Sequence, residues 1–250
     1  MLIKGKKLNI LKNSRFSVFY RAILSHLSSF KSNLKLGDKN ILFIWIPKTA
    51  GTTIFKSLEN TLGMQKRKRQ KEFLSFPNKG VVTFGHVSYL SLLTLGAVSQ
   101  EYHLNSYKFC FVRNPYNRAL SLFNYLIQEK IIDHKLEFEA FLDKIYLNRP
   151  PIGLYNSIGI SQSNPQSDWI IGNNEKLLVD DIFKVEKIDK FNSFIENKYK
   201  KRVDIKMMNE SKKVIMLEDI LENKSILEKI ELIYARDFDL LNYKRISHKK

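Results

Sequence analysis

Cysteine is nearly absent. Cys110 is the only one among 250 residues, so no intramolecular disulfide can form, and a reducing compartment fits that usage. It sits in the apolar run Phe109-Cys110-Phe111-Val112 and reads as a buried, inert thiol rather than a nucleophile. No apolar run reaches about 18 residues, the length that marks a membrane-spanning helix. The basic start, Met1 to Lys12, leads into no continuous apolar segment, because Arg15, Arg21 and His26 interrupt it. A secretory signal is therefore not expected, and the expected location is cytoplasmic. Internal repeats, low-complexity linkers and recognised nucleic-acid modules are missing as well. Acids are scarce: 25 Asp and Glu stand against 42 Lys and Arg, a formal net charge of +17.

The chain is otherwise globular in composition. Hydrophobic residues make up 44% and aromatics 12%, enough for a sizeable core, which excludes a tail that folds only on a partner. The charge calls for an anionic partner, whether nucleic acid, phosphorylated cofactor, acidic polysaccharide or anionic membrane surface. It does not choose among them, and because Lys, Ile and Asn are common throughout, many lysines also read as generic surface.

Residues 1–40 carry nine Lys or Arg and one acid, Asp38. Phe16, Phe19, Tyr20, Ile23, Leu24 and Leu27 recur there at helical spacing. We read 1–40 as a basic helical extension packed on the domain. A membrane-surface helix, giving peripheral membrane contact, is the alternative. Residues 41–250 form the main domain. Its strands are expected at Ile41–Ile46, Val81–Phe84, Tyr107–Val112 and Ile182–Val185, with helices at Thr52–Leu62, from Gly85-His86 to Leu95, at Pro115–Glu129 and at Asp189–Tyr199. Strands alternating with helices predict a three-layer α/β sandwich around a mainly parallel sheet. Ligands of such a sheet belong at the carboxyl ends of its strands.

Two strand-to-helix loops carry the chemistry. The first is Pro47-Lys48-Thr49-Ala50-Gly51-Thr52-Thr53. A helix N-terminus offers unpaired N–H groups and a positive dipole end, so it binds phosphate or sulfate. Gly51 permits close backbone approach, Thr52 and Thr53 offer hydroxyls, and Lys48 adds a full charge. It is not a Walker A loop, in which Lys follows the second glycine and precedes Ser or Thr. Here Lys48 comes before the glycine. The second loop, Phe111-Val112-Arg113-Asn114-Pro115-Tyr116-Asn117-Arg118, brings Arg113 off a strand end, with Ser121 two turns into the next helix. Arg118 either contributes or lies on the surface. Two anion sites on one sheet edge suit a ligand with phosphates at both ends.

With these motifs in place, the sequence resembles the carbohydrate sulfotransferases that use 3′-phosphoadenosine-5′-phosphosulfate (PAPS). This is the branch that includes heparan sulfate 2-O and chondroitin/dermatan-type enzymes and their bacterial relatives. Ile46 to Thr53 resembles the family's 5′-phosphosulfate loop, and Phe111 to Arg118 with Ser121 its 3′-phosphate loop. The family often has Asp where Asn114 stands. Phe84-Gly85-His86-Val87 is similar to the segment that carries the catalytic histidine in the heparan 2-O branch. Met208-Asn209-Glu210-Ser211 and Ile233-Tyr234-Ala235-Arg236-Asp237-Phe238 with Tyr243 are similar to later family elements. The resemblance implies a P-loop-like fold, PAPS as donor with 3′,5′-adenosine bisphosphate (PAP) as product, no metal requirement and in-line displacement at sulfur. It assigns His86 as base, Lys48 to the leaving oxygen, and Arg113 and Ser121 to the 3′-phosphate. Lys48, Thr49, Ala50, Gly51, Thr52 and Thr53 cradle the 5′ end, and Asn209, Ser211 and Lys212 border the cofactor. Glu101 is a rival base, while His103 and His26 lack context. The expected acceptor is a carbohydrate or polysaccharide, and Lys66-Arg67-Lys68-Arg69 with Lys71 would suit an acidic one. No specific nucleic-acid partner is expected.

Two other classes compete. Leu177-Leu178-Val179-Asp180-Asp181 has the outline of a Walker B strand, as in a nucleotide kinase. The charge alone would suit a non-enzymatic nucleic-acid binder.

Overall fold

The computed structural model describes residues 35–36, 39–62, 81–82, 88–94, 98, 100–147, 162–203, 205 and 214–246. In chain order these form β1 (Lys35–Leu36), β2 (Lys39–Ile44), α1 (Gly51–Leu62), β3 (Val81–Val82), α2 (Tyr89–Thr94), α3 (Gln100–Leu104), β4 (Ser106–Val112) and α4 (Pro115–Gln128). They continue with α5 (Phe138–Tyr146), β5 (Asp181–Lys184), α6 (Ile188–Tyr199), α7 (Lys224–Ile233) and α8 (Ala235–Leu240). The expected extension over 1–40 lies outside the described residues as far as 34. The sheet already begins at Lys35, ahead of the expected boundary at 41.

β2 lies at the centre of the sheet. On one side it pairs in parallel with β4, which pairs in parallel with β5. On the other side it pairs with β3 in parallel and, at its start, with β1 antiparallel. The antiparallel β1 was not expected, because two residues give no pattern to read. The order has a functional consequence. The chain leaving β2 runs to β3 on one side, and the chain leaving β4 runs to β5 on the other. The carboxyl ends of β2 and β4 therefore flank the point where the winding reverses, which is where open α/β sheets bind ligands.

Both sheet faces are buried, as the unbroken apolar runs require. Successive strand residues point to opposite faces. Ile41 and Phe43 of β2, with Tyr107, Phe109 and Phe111 of β4, meet Ile54, Phe55, Leu58 and Leu62 of α1 and Phe191 and Ile195 of α6. Leu42 and Ile44, with Cys110 and Val112, face the other way onto Tyr89, Leu92, Tyr102, Trp169 and Leu241. Cys110 is fully buried and burial pushes its thiol well above the ordinary range, so it is not a nucleophile. A further helical core joins α4, α5, α7 and α8 through Leu122, Phe123, Phe141, Leu227 and Phe238.

Phe109 sits at the middle of an aromatic stack, 5.2 Å from Phe43 and 5.5 Å from Phe191 between ring centres. Truncating such a residue removes its transfer energy and leaves a cavity. We predict that Phe109→Ala lowers unfolding free energy by about 3–5 kcal/mol in urea titration. A loss under about 1 kcal/mol, the scale of a surface change, would contradict this packing.

Candidate functional site

Beyond β2, Trp45-Ile46-Pro47 carries the chain to a tight turn. Lys48 and Ala50 adopt φ of 66° and 58°, a left-handed conformation that costs a non-glycine residue about 1–2 kcal/mol. Thr49 helps hold it: its buried hydroxyl donates to the Ile46 carbonyl at 2.9 Å. That hydroxyl is therefore committed to the turn. α1 starts at once, with Ile54 N–H donating to the Ala50 carbonyl. Its first-turn N–H groups are thus directed out of the helix end beside Lys48. Thr52 is exposed there and Thr53 buried. Gly51 has a packing reason too: a Cβ on it would lie 2.1 Å from the Trp45 indole nitrogen. The ring occupies the space any side chain would need.

Lys48 extends from this turn over the ring of Tyr125 in α4, its Nζ 3.8 Å from the ring centre. Burial pulls its pKa down to about 8, and the positive charges of Arg113 and Arg118 pull in the same direction. Glu129 opposes them as the weakest of the named influences. The ammonium thus belongs to a crowded group of cations, which an anion would relieve.

The second loop leaves β4 at Val112. Asn114 caps α4, its side-chain oxygen accepting from Tyr116 N–H at 3.0 Å, and Pro115 opens the helix. Asn and Asp serve equally at such a cap, so the change of residue type at 114 leaves the local geometry intact. Asn114 N–H donates to Glu186 at 2.6 Å. The Arg113 backbone is gripped by the Gln166 side chain: Arg113 N–H donates to Oε1, and Nε2 donates to the Arg113 carbonyl, both at 2.8 Å.

α4 faces the first loop with one stripe. Arg118, Ser121 and Tyr125 follow at spacings of three and four, which places them above one another on a helix. Arg118 is neither a surface group nor an open anion ligand. It is 1% exposed, and its guanidinium donates to the carbonyls of Pro47 at 3.1 Å, Asn164 at 3.0 Å and Gln162 at 2.8 Å. Trp169 and Tyr234 flank it. It ties α4 and the segment 162–164 to the first loop. Its place on the inward stripe with Pro115 and Leu122 was the available signal. Gln166 gave none, and Asp237 stood out only as part of the element at 233–238, since polar residues far along the chain show no partner in sequence.

Lys48, Thr49, Ala50, Gly51, Thr52, Thr53, Arg113 and Ser121 thus gather where β2 and β4 end. Other candidates do not join them. Glu101 and His103 lie on α3, before β4 begins, and therefore at the opposite edge. His103 is held there by the Tyr89 hydroxyl at 3.0 Å. Asp180 and Asp181 also lie at that far edge. Asp181 pairs with Phe109 at the start of β5, Asp180 bridges Lys108 at 3.0 Å, and the Tyr107 hydroxyl donates to Asp181. A Walker B carboxylate has to reach the phosphate edge, so this placement removes the support for that reading. His86, Asn209, Ser211, Lys212, the basic run 66–71 and His26 lie outside the described residues. β3, which precedes His86 in sequence, runs parallel to β2.

Residues 35–153 match the family model described as Sulfotransferase family. The matched segment holds both loops and every strand except β5. The likeness is to that family over this segment, which is less than half of the chain. Among curated proteins none matches the chain. No helix among the described residues is long and apolar enough to cross a membrane.

Arg118→Ala would leave three carbonyls without their donor. We predict that it costs at least about 3 kcal/mol of unfolding free energy, whereas Arg113→Ala, at a half-buried site, costs about 1 kcal/mol or less. Equal losses on chemical denaturation would mean that Arg118 braces nothing.

Proposed function

We propose that this chain is a PAPS-dependent sulfotransferase acting on a hydroxyl of a carbohydrate. The observation that carries the reading is the meeting of Lys48 and Arg113 at one sheet edge, each beside the start of a long helix, with the Lys48 pKa already lowered by burial and by neighbouring cations. That arrangement fits a ligand with two separate phosphate groups.

PAPS, when bound, supplies a sulfuryl group whose departure leaves negative charge on the 5′-phosphate oxygen. Lys48 holds its ammonium against that oxygen, and the first-turn N–H groups of α1 stabilise the same charge. Arg113, with Ser121, grips the 3′-phosphate and so sets the donor's position along the edge. His86 takes the proton from the acceptor hydroxyl, a contribution of roughly 10²–10⁴ in rate. Thr49 acts through the turn it holds. Asn209 and Ser211 are assigned to the cofactor by resemblance, and the charge of the basic run at 66–71 suits an acidic polysaccharide acceptor. The main domain is the catalytic one, in a cytoplasmic location.

Calorimetric titration without Mg²⁺ tests the reading. PAP binds, whereas AMP and ATP bind at least about tenfold more weakly, the worth of one lost charged contact. Lys48→Ala and Arg113→Ala each weaken PAP, and His86→Ala keeps PAP binding while removing transfer. Preference for ATP once Mg²⁺ is added would overturn the reading in favour of phosphoryl transfer.

A pH dependence follows from Lys48. Its lowered pKa, about 8, means that below this pH the lysine is already charged and binding of an anion is unaffected. Above it, binding must take up a proton, so PAP affinity falls by up to about tenfold per pH unit. Lys48→Arg, which does not titrate in that range, should abolish the decline between pH 8 and 10. A decline that persists in the arginine variant would assign it to another group.

A further inference from the structure

Gln166 lies on a helical turn, Gln166–Trp169, and is fully buried. We propose that Gln166, held by Asp237, is the positioning residue that sets Arg113 against the donor's 3′-phosphate; the inference rests on the sulfotransferase reading above. Neither residue falls in the matched segment 35–153.

The strand pairing explains the need. The last β4–β5 pair is Val112 with Lys184, and the last β2–β4 pair joins Ile44 to Cys110. Arg113 lies beyond both ladders, so its half-buried N–H and carbonyl take partners from elsewhere. One carboxamide supplies both, with an acceptor for the N–H and a donor for the carbonyl, each at 2.8 Å. It replaces a neighbouring strand for one residue. The sense of the amide is settled by Asp237. A carboxylate only accepts, and its Oδ2 takes Gln166 Nε2 at 3.2 Å and Gln166 N–H at 2.8 Å. Oδ1 takes Ser167 N–H at 2.9 Å. Asp237 is itself fully buried, so these contacts are dry and rigid. The same segment is tied to the first loop, because Arg118 holds Gln162, Asn164 and Pro47 together. Both anion loops are thereby referred to one turn of chain. A guanidinium contact to phosphate is steep in distance and angle, so the position of the Arg113 backbone sets what its side chain can reach.

The ratio of dissociation constants for AMP and PAP isolates the 3′-phosphate. The full chain and its Gln166→Ala and Gln166→Met variants are titrated with both ligands, and thermal unfolding of each is recorded. We expect the ratio to fall about tenfold in both variants, with AMP affinity unchanged. We also expect little further loss when Arg113→Ala is added, since the two act as one unit. A merely structural glutamine would weaken both ligands alike and leave the ratio unmoved, which overturns the proposal. Should both Gln166 variants fail to fold, Asp237→Asn takes their place with the same expected fall in ratio, and an unchanged ratio again overturns it. A wild-type chain that does not prefer PAP over AMP defeats the sulfotransferase reading together with this inference. A wild type that prefers PAP, with variants that keep the full preference, defeats this inference alone.

Discussion

Crowded positive charge at the carboxyl ends of β2 and β4 is the constraint around which the rest is arranged. Lys48 is buried enough to lose hydration, and Arg113 and Arg118 both lower its pKa. Like charges do not stay together unless something holds them, and here backbone carbonyls and buried polar side chains do so. Arg118 spends its donors on three carbonyls. Thr49 closes the turn that aims Lys48, and Gln166 with Asp237 grips Arg113. The left-handed residues Lys48 and Ala50 store a small strain in the same place. Such strain persists only where the surroundings over-determine it. Here the Trp45 indole on Gly51 and the core beneath α1 do so.

That core supplies the stability the site draws on. Both faces of β2 and β4 are covered, and aromatic rings on the α1 and α6 side stack in series from Trp45 through Phe43 and Phe109 to Phe191. A close-packed layer of this kind yields little, so the strand ends that carry the loops keep their spacing. The far edge of the sheet is given to structural polar contacts. Lys108 there donates to the carbonyls of His103 and Ser106 and bridges Asp180. The cations Lys48 and Arg113 lie beyond the ends of β2 and β4, at the opposite edge from Asp180 and Asp181.

Much of this was legible in the sequence. The apolar runs at 41–46 and 107–112 located β2 and β4 to within two residues, because a strand buried on both faces leaves an unbroken hydrophobic signature. Lys48 and Arg113 were legible because each follows such a run and precedes a helix. Other features had no local trace. Arg118 shows its inward stripe in sequence but not the three carbonyls it holds. Gln166 meets Arg113, and Asp237 meets Gln166, only through tertiary folding across 53 and 71 residues of chain. The acids at 180 and 181 suggested a catalytic strand by composition, and only the parallel register showed that they sit at its entry. Short elements such as β1 depend on pairing rather than propensity.

The central claim is that two separate anion sites at this edge hold the two ends of one nucleotide. A crystal structure of the chain with PAP tests it most directly. The 5′-phosphate is expected at Lys48 and the first turn of α1, and the 3′-phosphate within hydrogen-bond distance of the Arg113 guanidinium. PAP seated elsewhere, or bound with its two phosphates exchanged between the loops, would contradict it.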